Sequence, residues 1–275
     1  LSNALLDLGF KKGDVVAFLT SNRAEIVEIY FALARTGIIG MPLNYRLATS
    51  EVLELLRSVN ATGLIYEDKF APVAEKAAKS LRKVIQIGGE SPDFALDYET
   101  ELSNASDKEL DIEIEEADPF YFNLTSGTTG LPKCYILTQY NNSTLGPFFQ
   151  AFHMSEDDVA MTVFPMFGRV GFAWIAGAMY FGIPNVITNF EPGEVLRLIE
   201  QERVTVFNLV PTMAAMALPA QEAANRDLSS IRAIAFAGSI LPEIIRKRTM
   251  EHLCPNIYEY YGMQETGALV VSTPT

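Results

Sequence analysis

The sequence predicts an α/β protein made of two sheet-based subdomains with crossover helices. Short β-rich runs alternate with helical patterns, starting with a strand at Val15 to Leu19 and a helix at Glu25 to Thr36. Alternation of this kind favours sheets whose strands are connected by helices. The chain has 275 residues, 49% of them hydrophobic, which is enough to bury a large core in one big or two medium domains.

The first half contains further elements of both kinds. Leu1 to Leu8 has the pattern of a helix. The remaining predictions are the strands Gly63 to Tyr66 and Val84 to Ile87, the helix Ala71 to Leu81, and a hairpin of Phe120 to Leu124 with Cys134 to Leu137.

A second alternating set predicts the other subdomain. Pro192 suits a first helical position, and the apolar residues that follow it share one helix face. The predicted elements are Val159 to Val163, Phe172 to Phe181, Asn185 to Ile187, Pro192 to Glu202, Val204 to Asn208, Ile231 to Ala235 and Pro242 to Glu251.

The boundary between the subdomains is predicted between Gly146 and Asp158, where Pro147, Ser155 and an acidic pair interrupt the pattern. The first subdomain is then 1–150 and the second 151–275. Ligands of open α/β sheets bind at the carboxyl ends of the strands, so a cleft between the halves is expected.

Charge and composition exclude several classes of protein. The formal net charge is −13 and no Lys/Arg cluster occurs, which argues against nucleic-acid binding. Neither an export signal nor a long apolar run is evident, and Cys134 and Cys254 do not form a disulfide framework, so we expect a cytoplasmic protein without a membrane span. The acidic stretch from Glu99 to Asp118 is interpreted as a solvated linker.

The isolated histidines and the tryptophan are interpreted as structural. His153 and His252 lack the spacing of metal ligands and are expected at the surface or at helix ends. Trp174 lies in an apolar segment and is expected in the core.

The most informative segment is the loop from Thr125 to Lys133, within residues 124–133. Its glycines permit a close approach of backbone N–H groups to an anion, its hydroxyls donate from the same side, and Lys133 adds a positive charge. A Walker loop would place Lys directly after Gly and before Ser or Thr, but Pro132 precedes Lys133 here. We therefore expect a phosphate-binding hairpin of another kind.

This segment resembles the signature loop of the adenylate-forming superfamily, which includes acyl-CoA synthetases, luciferases and peptide-synthetase adenylation domains. Other motifs follow in the order and at spacing similar to that family, and they cover nearly the whole chain. They are Gly13 to Ala17, Met41 to Asn44, Phe164 to Phe167, Val210 to Thr212, Asp227 to Arg232 and Tyr260 to Gly267.

The resemblance implies the large N-terminal domain of the acyl-CoA synthetase fold, without its C-terminal domain. It implies activation of a carboxylic acid by ATP and Mg²⁺ to an acyl adenylate, with release of pyrophosphate, followed by thioester formation with CoA. Both reacting partners are anionic, so such a site must neutralise charge and align the reactants.

The resemblance also assigns site residues. Lys133, Gln264 and Glu265 would be catalytic, Glu265 would hold the metal, and Tyr261 would stack on adenine. The residues implied in nucleotide binding are Thr125, Ser126, Gly127, Thr128, Thr129, Gly130, Lys133, Gly238, Ser239, Ile240, Leu241, Glu259, Tyr260, Tyr261, Gly262, Met263 and Gln264.

Four positions depart from the family pattern. Cys134 stands where glycine is usual, Gln139 replaces a histidine, and Gly168 stands where a histidine often guards the acyl channel. Gln264 replaces a threonine that meets the adenylate phosphate, although its amide can still donate a hydrogen bond. Cys134 has apolar flanks, so we expect an inert, buried thiol.

The acid is expected to be fatty or aromatic and larger than acetate. The segment from Phe164 to Gly171 lacks the aspartate of amino-acid-activating relatives, and acetate-activating members carry tryptophan at the place of Gly262. Arg169 would either attract a second acidic group or face solvent. The implied pocket residues are Phe167, Gly168, Arg169, Ala237, Gly238 and Gly262.

Two alternatives remain open at this point. An adenylation domain could deliver its acyl group to a carrier protein, or the chain could be a nucleotide-binding relative without turnover. Leu1 and Thr275 both look like cut ends, and the resemblance implies a following ribose-binding aspartate, hinge and mobile lysine domain. Residues 1–275 alone are therefore expected to bind nucleotide weakly and to turn over poorly.

Overall fold

The computed structural model describes residues 1–124 and 133–274 of the chain. Two compact units are formed, Leu1–Asn141 and Asn142–Thr275. The division falls before the predicted region 146–158. Asn142 hydrogen-bonds to Arg169, and Phe149 packs in a core with Trp174, so the segment after 141 contributes to the second unit.

The described part of the first unit contains one mixed sheet with helices. Its strand order is β5-β4-β3-β1-β2-β6-β7, in which β6 and β7 are antiparallel and the other pairs are parallel. The elements are α1 Ser2–Asp7, β1 Val15–Leu19, α2 Ala24–Thr36, β2 Ile39–Pro42, α3 Thr49–Ser58, β3 Gly63–Glu67, a 3₁₀ turn Asp68–Phe70, α4 Ala71–Ala78, β4 Lys83–Ile87, β5 Leu96–Asp97, α5 Tyr98–Asn104, β6 Pro119–Leu124 and β7 Cys134–Thr138. Helix α6 Gln139–Ser143 contains the division between the units.

Local chemistry explains the bounds of these elements. Helix α2 buries Ile26, Ile29 and Leu33 on one face, and it ends at Gly37, whose φ of 68° is left-handed and suits glycine. The predicted acidic linker is only partly irregular, because Asp97 caps α5 by accepting a hydrogen bond from the Thr100 backbone N–H.

The second unit has its own sheet, with the strand order β13-β12-β11-β10-β8-β9 in the described residues. Only the β12–β13 pair is antiparallel within this described sheet. The elements are α7 Leu145–Phe148, a 3₁₀ turn Phe149–Phe152, β8 Ala160–Thr162, α8 Arg169–Phe181, β9 Asn185–Ile187, α9 Pro192–Glu202, β10 Val206–Leu209, α10 Pro211–Ala224, β11 Ala233–Phe236, α11 Glu243–His252, β12 Ile257–Met263 and β13 Gly267–Ser272.

Each face of this second sheet has a separate core. One core contains Phe207 and Leu209 of β10 together with residues of α9 and α10. The other contains Val206 of β10 and Trp174 of α8, so Trp174 is a core residue as predicted. Because side chains alternate along a strand, this second core lies on the face to which Asn208 also belongs.

A buried carboxylate connects three segments of the second unit. Asp158, which is 3% exposed, accepts hydrogen bonds from Thr205 Oγ1 at 2.6 Å, from Arg232 Nε at 2.6 Å and from the Ser155 backbone N–H at 2.9 Å. Arg232 also donates to the Phe152 carbonyl at 2.9 Å. This network fixes the loop before β8 to the amino ends of β10 and β11.

Strand β13 lies at one edge of the second sheet. Its side chains Leu269 and Val270 are exposed. None of the described helices has the length and apolarity required to cross a membrane. His153 has a left-handed φ of 52° after the 3₁₀ turn, and His252 is the last residue of α11; both are exposed, as predicted for surface or capping residues.

Candidate functional site

The predicted phosphate-binding loop is carried by a hairpin in the first unit. Leu124 pairs with Cys134 in the antiparallel β6–β7 ladder, which confirms the predicted hairpin. The loop residues Thr125, Ser126, Gly127, Thr128, Thr129 and Gly130 lie outside the described residues. Lys133, directly before β7, is exposed.

Cys134 is half-buried beside this loop, in contact with the core of the first unit. Burial raises the pKa of its thiol, and a hydrogen bond with Ser58 acts in the opposite direction. A thiol with a raised pKa is a weak nucleophile, which agrees with the predicted inert role. Gln139, at the start of α6, donates from Nε2 to the Ala34 carbonyl at 3.2 Å.

The turn from β11 into α11 contains a second set of predicted residues. Gly238 has a φ of 86°, and a Cβ there would approach Val210 Cγ1 to 3.1 Å, so a residue with a side chain would be strained. Ser239 and Ile240 are exposed, whereas Ala237 and Leu241 are buried on either side. The turn thus presents backbone and two side chains to solvent at the carboxyl end of β11.

Strand β12 divides its predicted residues between the two faces of the sheet. Tyr260 packs edge-on against Phe148 at a ring distance of 5.5 Å, and burial raises the pKa of its phenol. Tyr261 faces away from this core and is 67% exposed. The carboxylate of Glu259 forms an ion pair with Arg246 of α11. Tyr261 is therefore the member of the tyrosine pair that is free to stack on a planar ligand.

The turn between β12 and β13 holds Gln264 and Glu265, both exposed, with Met263 before them. Gln264 Oε1 accepts a hydrogen bond from the Arg169 backbone N–H at 3.2 Å. Because Arg169 is the first residue of α8, this bond connects the turn to the start of that helix. Glu265 projects from a turn that is held in place on one side.

Gly262 has a backbone reason to be glycine. A Cβ at this position would lie 2.2 Å from the Gly267 carbonyl oxygen and 2.8 Å from Ala268 Cα. The β12–β13 register shifts between Tyr261 and Gly262, which brings the two strands into this close approach. The absence of a side chain at 262 is required by the hairpin itself.

The start of α8 contains the predicted acyl-channel residues. Phe167 is half-buried, and a Cβ at Gly168 would meet only the Pro165 carbonyl oxygen, at 3.5 Å, which is ordinary contact. The alternative in which Arg169 faces solvent is wrong, because Arg169 is 5% exposed and donates from Nη1 to Asn142 Oδ1 at 3.1 Å. The guanidinium group also lies against Gly267 of β13.

Two asparagines of the second unit were not predicted. Asn142 holds Arg169, and Asn208 is fully buried next to Tyr260. The signal for Asn208 was available in the sequence, because one polar residue interrupts the apolar strand Val206–Leu209. For Asn142 there was no local signal, since its role depends on the packing of α8.

The described residues can bind a magnesium ion only if a bound ligand supplies some of the coordinating oxygens. Among them no three His, Cys, Asp or Glu side chains group into a metal site. Glu265 is an exposed carboxylate, and Mg²⁺ is commonly bound by one or two carboxylates together with phosphate oxygens and water. Glu265 could therefore hold Mg²⁺ together with a nucleotide.

The two-sheet architecture is that of the N-terminal domain of adenylate-forming enzymes, as predicted. The family described as AMP-binding enzyme matches residues 1–275, and the chain belongs to this family. It is 30% identical to the indoleacetate–CoA ligase of Aromatoleum aromaticum over 97% of this chain and 53% of that protein. The chain thus spans about half the length of the curated relatives it matches.

Another relative is named for a different acyl acceptor, a carrier protein. The fatty acid–acyl-carrier-protein ligase of Streptomyces coeruleorubidus is 28% identical over 100% of this chain and 53% of that protein.

Solved structures share the fold. The anthranilate CoA ligase AuaEII in complex with anthranoyl-AMP aligns with a TM-score of 0.93 at 24% identity, covering 99% of this chain and 55% of that one. The O-succinylbenzoate coenzyme A synthetase of Bacillus subtilis in complex with ATP and magnesium ion aligns with a TM-score of 0.84 at 25% identity, covering 99% and 55%.

Proposed function

We propose that the complete protein containing this chain activates a carboxylic acid with ATP, releasing pyrophosphate and forming an acyl adenylate, and then transfers the acyl group to CoA. A carboxylate is a poor acyl donor, and adenylation gives it a good leaving group. The observation that carries the proposal is the exposed segment Tyr261 to Glu265, which is held against α8 by Gln264 and combines a free aromatic face with a carboxylate.

In this proposal different residues contact different parts of ATP. Tyr261 stacks on the adenine ring, and the turn after Gly238 borders the base with its backbone. The loop Thr125–Gly130 and Lys133 bind the β- and γ-phosphates, and the lysine offsets charge as pyrophosphate leaves. Glu265 orients a magnesium ion, which when bound supplies charge neutralisation on the phosphate oxygens.

The acid is proposed to be fatty or aromatic and larger than acetate. Support comes from Gly168, where a Cβ would make only one ordinary contact, and from the apolar residues Phe167 and Ala237. Gly262 is not evidence for a larger acid, because the close approach of β13 excludes a side chain at this position whatever the substrate is. Burial of Arg169 favours a positioning role at the start of α8 over recognition of a second acidic group.

A panel assay tests the reaction and the substrate class together. The protein expressed from its complete reading frame is incubated with ATP, Mg²⁺ and acetate, amino acids, fatty acids or aromatic acids, and pyrophosphate release is measured. We expect release with the fatty or aromatic acids. A strong preference for acetate or an amino acid would refute the proposed substrate class, and no release with any acid would refute adenylation.

A variant of Lys133 tests the proposed phosphate contact. We expect Lys133→Ala to lower kcat for pyrophosphate release by about 100-fold, because one preorganised charge at the transition state is lost. Lys79→Ala is the matched control: Lys79 is also exposed in the first unit, but at the end of α4, and its removal should leave the rate unchanged. Equal rates for Lys133→Ala and the control would exclude this role.

Loading of a carrier protein is the second candidate, and the carrier-protein ligase among the relatives favours keeping it. The two candidates are separated by offering CoA and a phosphopantetheinylated carrier in the same assay. A relative that binds nucleotide without turnover is the third reading. It is distinguished by binding of ATP, measured by calorimetry, without formation of either thioester.

A further inference from the structure

The first residue of α8 contacts both ends of the turn between β12 and β13. The Arg169 backbone N–H donates to Gln264 Oε1 at 3.2 Å, where the turn begins. The guanidinium Nε and Nη2 of the same residue lie 3.7 and 3.8 Å from the point at which a Cβ of Gly267 would stand, and Gly267 is the first residue of β13. Glu265 lies between these two contacts and is itself exposed.

The side chain of Arg169 is fixed in place. It is 5% exposed, and its Nη1 donates to Oδ1 of Asn142, which is 8% exposed, at 3.1 Å. Burial of a guanidinium group is costly unless hydrogen bonds replace those it made with water. The group therefore stays with its buried partners and does not sample the surface as an exposed arginine would.

The backbone of Arg169 is fixed as well, because the first turn of α8 packs closely on the segment before it. A Cβ at Gly171 would lie 2.4 Å from the Pro165 carbonyl oxygen, so this approach requires glycine. The Gly168 N–H donates to the same carbonyl at 3.0 Å. The N–H group that reaches Gln264 thus projects from a rigid helix start.

The turn that carries Glu265 needs such support. Met263, Gln264, Glu265 and Thr266 are all exposed. A carboxylate that shares a metal ion with a ligand must be held close to the productive geometry by its neighbours. Arg169 connects this exposed turn to a buried and fixed part of the same unit.

We propose that Arg169 is a positioning residue for Glu265, which it orients toward the metal ion by fixing both ends of the turn. This inference rests on the proposed role of Glu265 in holding Mg²⁺ beside the nucleotide. Arg169 acts through the turn and makes no contact with the reacting atoms. Loss of its side chain should weaken nucleotide binding with Mg²⁺ and leave binding without Mg²⁺ largely unchanged.

Calorimetry in the absence of turnover tests this role. ATP is titrated into the complete protein without any carboxylic acid, once with saturating Mg²⁺ and once with EDTA, and the ratio of the two Kd values gives the metal-dependent gain in affinity. Arg169→Met keeps an unbranched apolar stem and removes the charge and the donors. We expect the gain to fall about tenfold or to be lost in this variant, while the Kd in EDTA changes by less than about twofold.

Arg232→Met is the matched control. Arg232 is another arginine of the second unit, and its hydrogen-bond partners are Asp158 and the Phe152 and His153 carbonyl groups, which lie outside the turn. This variant should unfold at a lower temperature and keep the full metal-dependent gain. Asn142→Ala is the second test, in case Arg169→Met does not fold, and it should reduce the gain by a smaller factor.

The outcomes separate this inference from the function beneath it. Full retention of the gain in Arg169→Met, or in Asn142→Ala where the first variant does not fold, would overturn the positioning role and leave the proposed function intact. An equal loss of affinity with Mg²⁺ and with EDTA would show a purely structural arginine and would also overturn it. A wild type whose ATP affinity does not depend on Mg²⁺ would overturn the proposed role of Glu265 and this inference together, whereas adenylation itself is decided by pyrophosphate release.

Discussion

At the scale of single residues, burial decides how much a charged side chain contributes to stability. The Asp158–Arg232 pair and the Glu194–Arg197 pair are both short carboxylate–guanidinium contacts, but Asp158 is buried and both members of the second pair are 41% exposed. Exposed ion pairs contribute up to about 1 kcal/mol to stability, and often less, whereas removal of one partner of a buried pair leaves a desolvated charge.

We expect Asp158→Asn to lower the free energy of unfolding by about 3 kcal/mol, at the low end for a buried pair because Arg232 retains some contact with water. Denaturant titration followed by Trp174 fluorescence measures this change in the unit that contains it. Glu194→Gln is the control and should change stability by less than about 0.5 kcal/mol. Similar losses of unfolding free energy in both variants would mean that the buried network around Asp158 does not stabilise the protein more than an exposed ion pair does.

The carboxylate of Asp158 should also make the stability of the protein depend on pH. Burial alone would raise the pKa of Asp158, but hydrogen bonds from Arg232, Thr205 and Ser155 lower it below its ordinary value of 3.8. A group with a lowered folded-state pKa contributes its stability above the ordinary pKa, and the contribution is lost as pH falls through the folded value. The difference in stability between wild type and Asp158→Asn should therefore be complete at neutral pH and shrink only below about pH 4.

At the scale of elements, the β12–β13 hairpin carries the run of candidate residues from Glu259 to Glu265, and its geometry depends on Gly262. We expect Gly262→Ala to cost about 2 kcal/mol, because the new Cβ would overlap the backbone of β13 and force the strands apart. The loss is measured by thermal unfolding. Nucleotide affinity, measured by calorimetry, should fall with it, since Tyr261 and Gln264 lie on either side.

Gly193→Ala is the matched control for this substitution. Gly193 lies in the first turn of α9, where a Cβ would approach only the flexible Glu191 carboxylate, at 3.4 Å. The stability of the Gly193→Ala variant should equal that of the wild type or exceed it by up to about 1 kcal/mol, because alanine favours a helix more than glycine does. Equal stability of the two variants would contradict the close approach at Gly262.

Elements with strong local signals were predictable from the sequence. Helix α9 was predicted with its observed bounds, because Pro192 suits the first turn and the apolar residues after it share one helix face. In the structure the Glu191 side chain also caps it, by accepting hydrogen bonds from the backbone N–H groups of residues 193 and 194. Strand β10 was predicted to begin two residues and to end one residue too early, since the apolar run does not show which of its residues pair with the neighbouring strands. The β12–β13 hairpin was interpreted as a binding motif and its strands were not predicted.

At the scale of the whole molecule, the fold class and the family were predictable, whereas the surroundings of the candidate residues were not. The alternation of helical and strand patterns predicted the two sheets, and the order of the motifs predicted the family of the chain. The burial of Arg169 and its contacts with both ends of the β12–β13 turn depend on how α8 packs on the sheet, which no local pattern encodes. Tyr260 and Tyr261 illustrate the limit, because only the sheet decides which of the two is exposed.

The exposed edge of the second sheet has a consequence for handling the protein. Strand β13 presents backbone groups together with Leu269 and Val270, and such an edge can template pairing with another chain. We expect residues 1–275 produced alone to self-associate with rising concentration, as measured by sedimentation velocity, and Val270→Lys to suppress this. Ile244→Lys, on the equally exposed but hydrogen-bonded helix α11, should not. If both lysines acted alike, general hydrophobicity and not strand pairing would be the cause of aggregation.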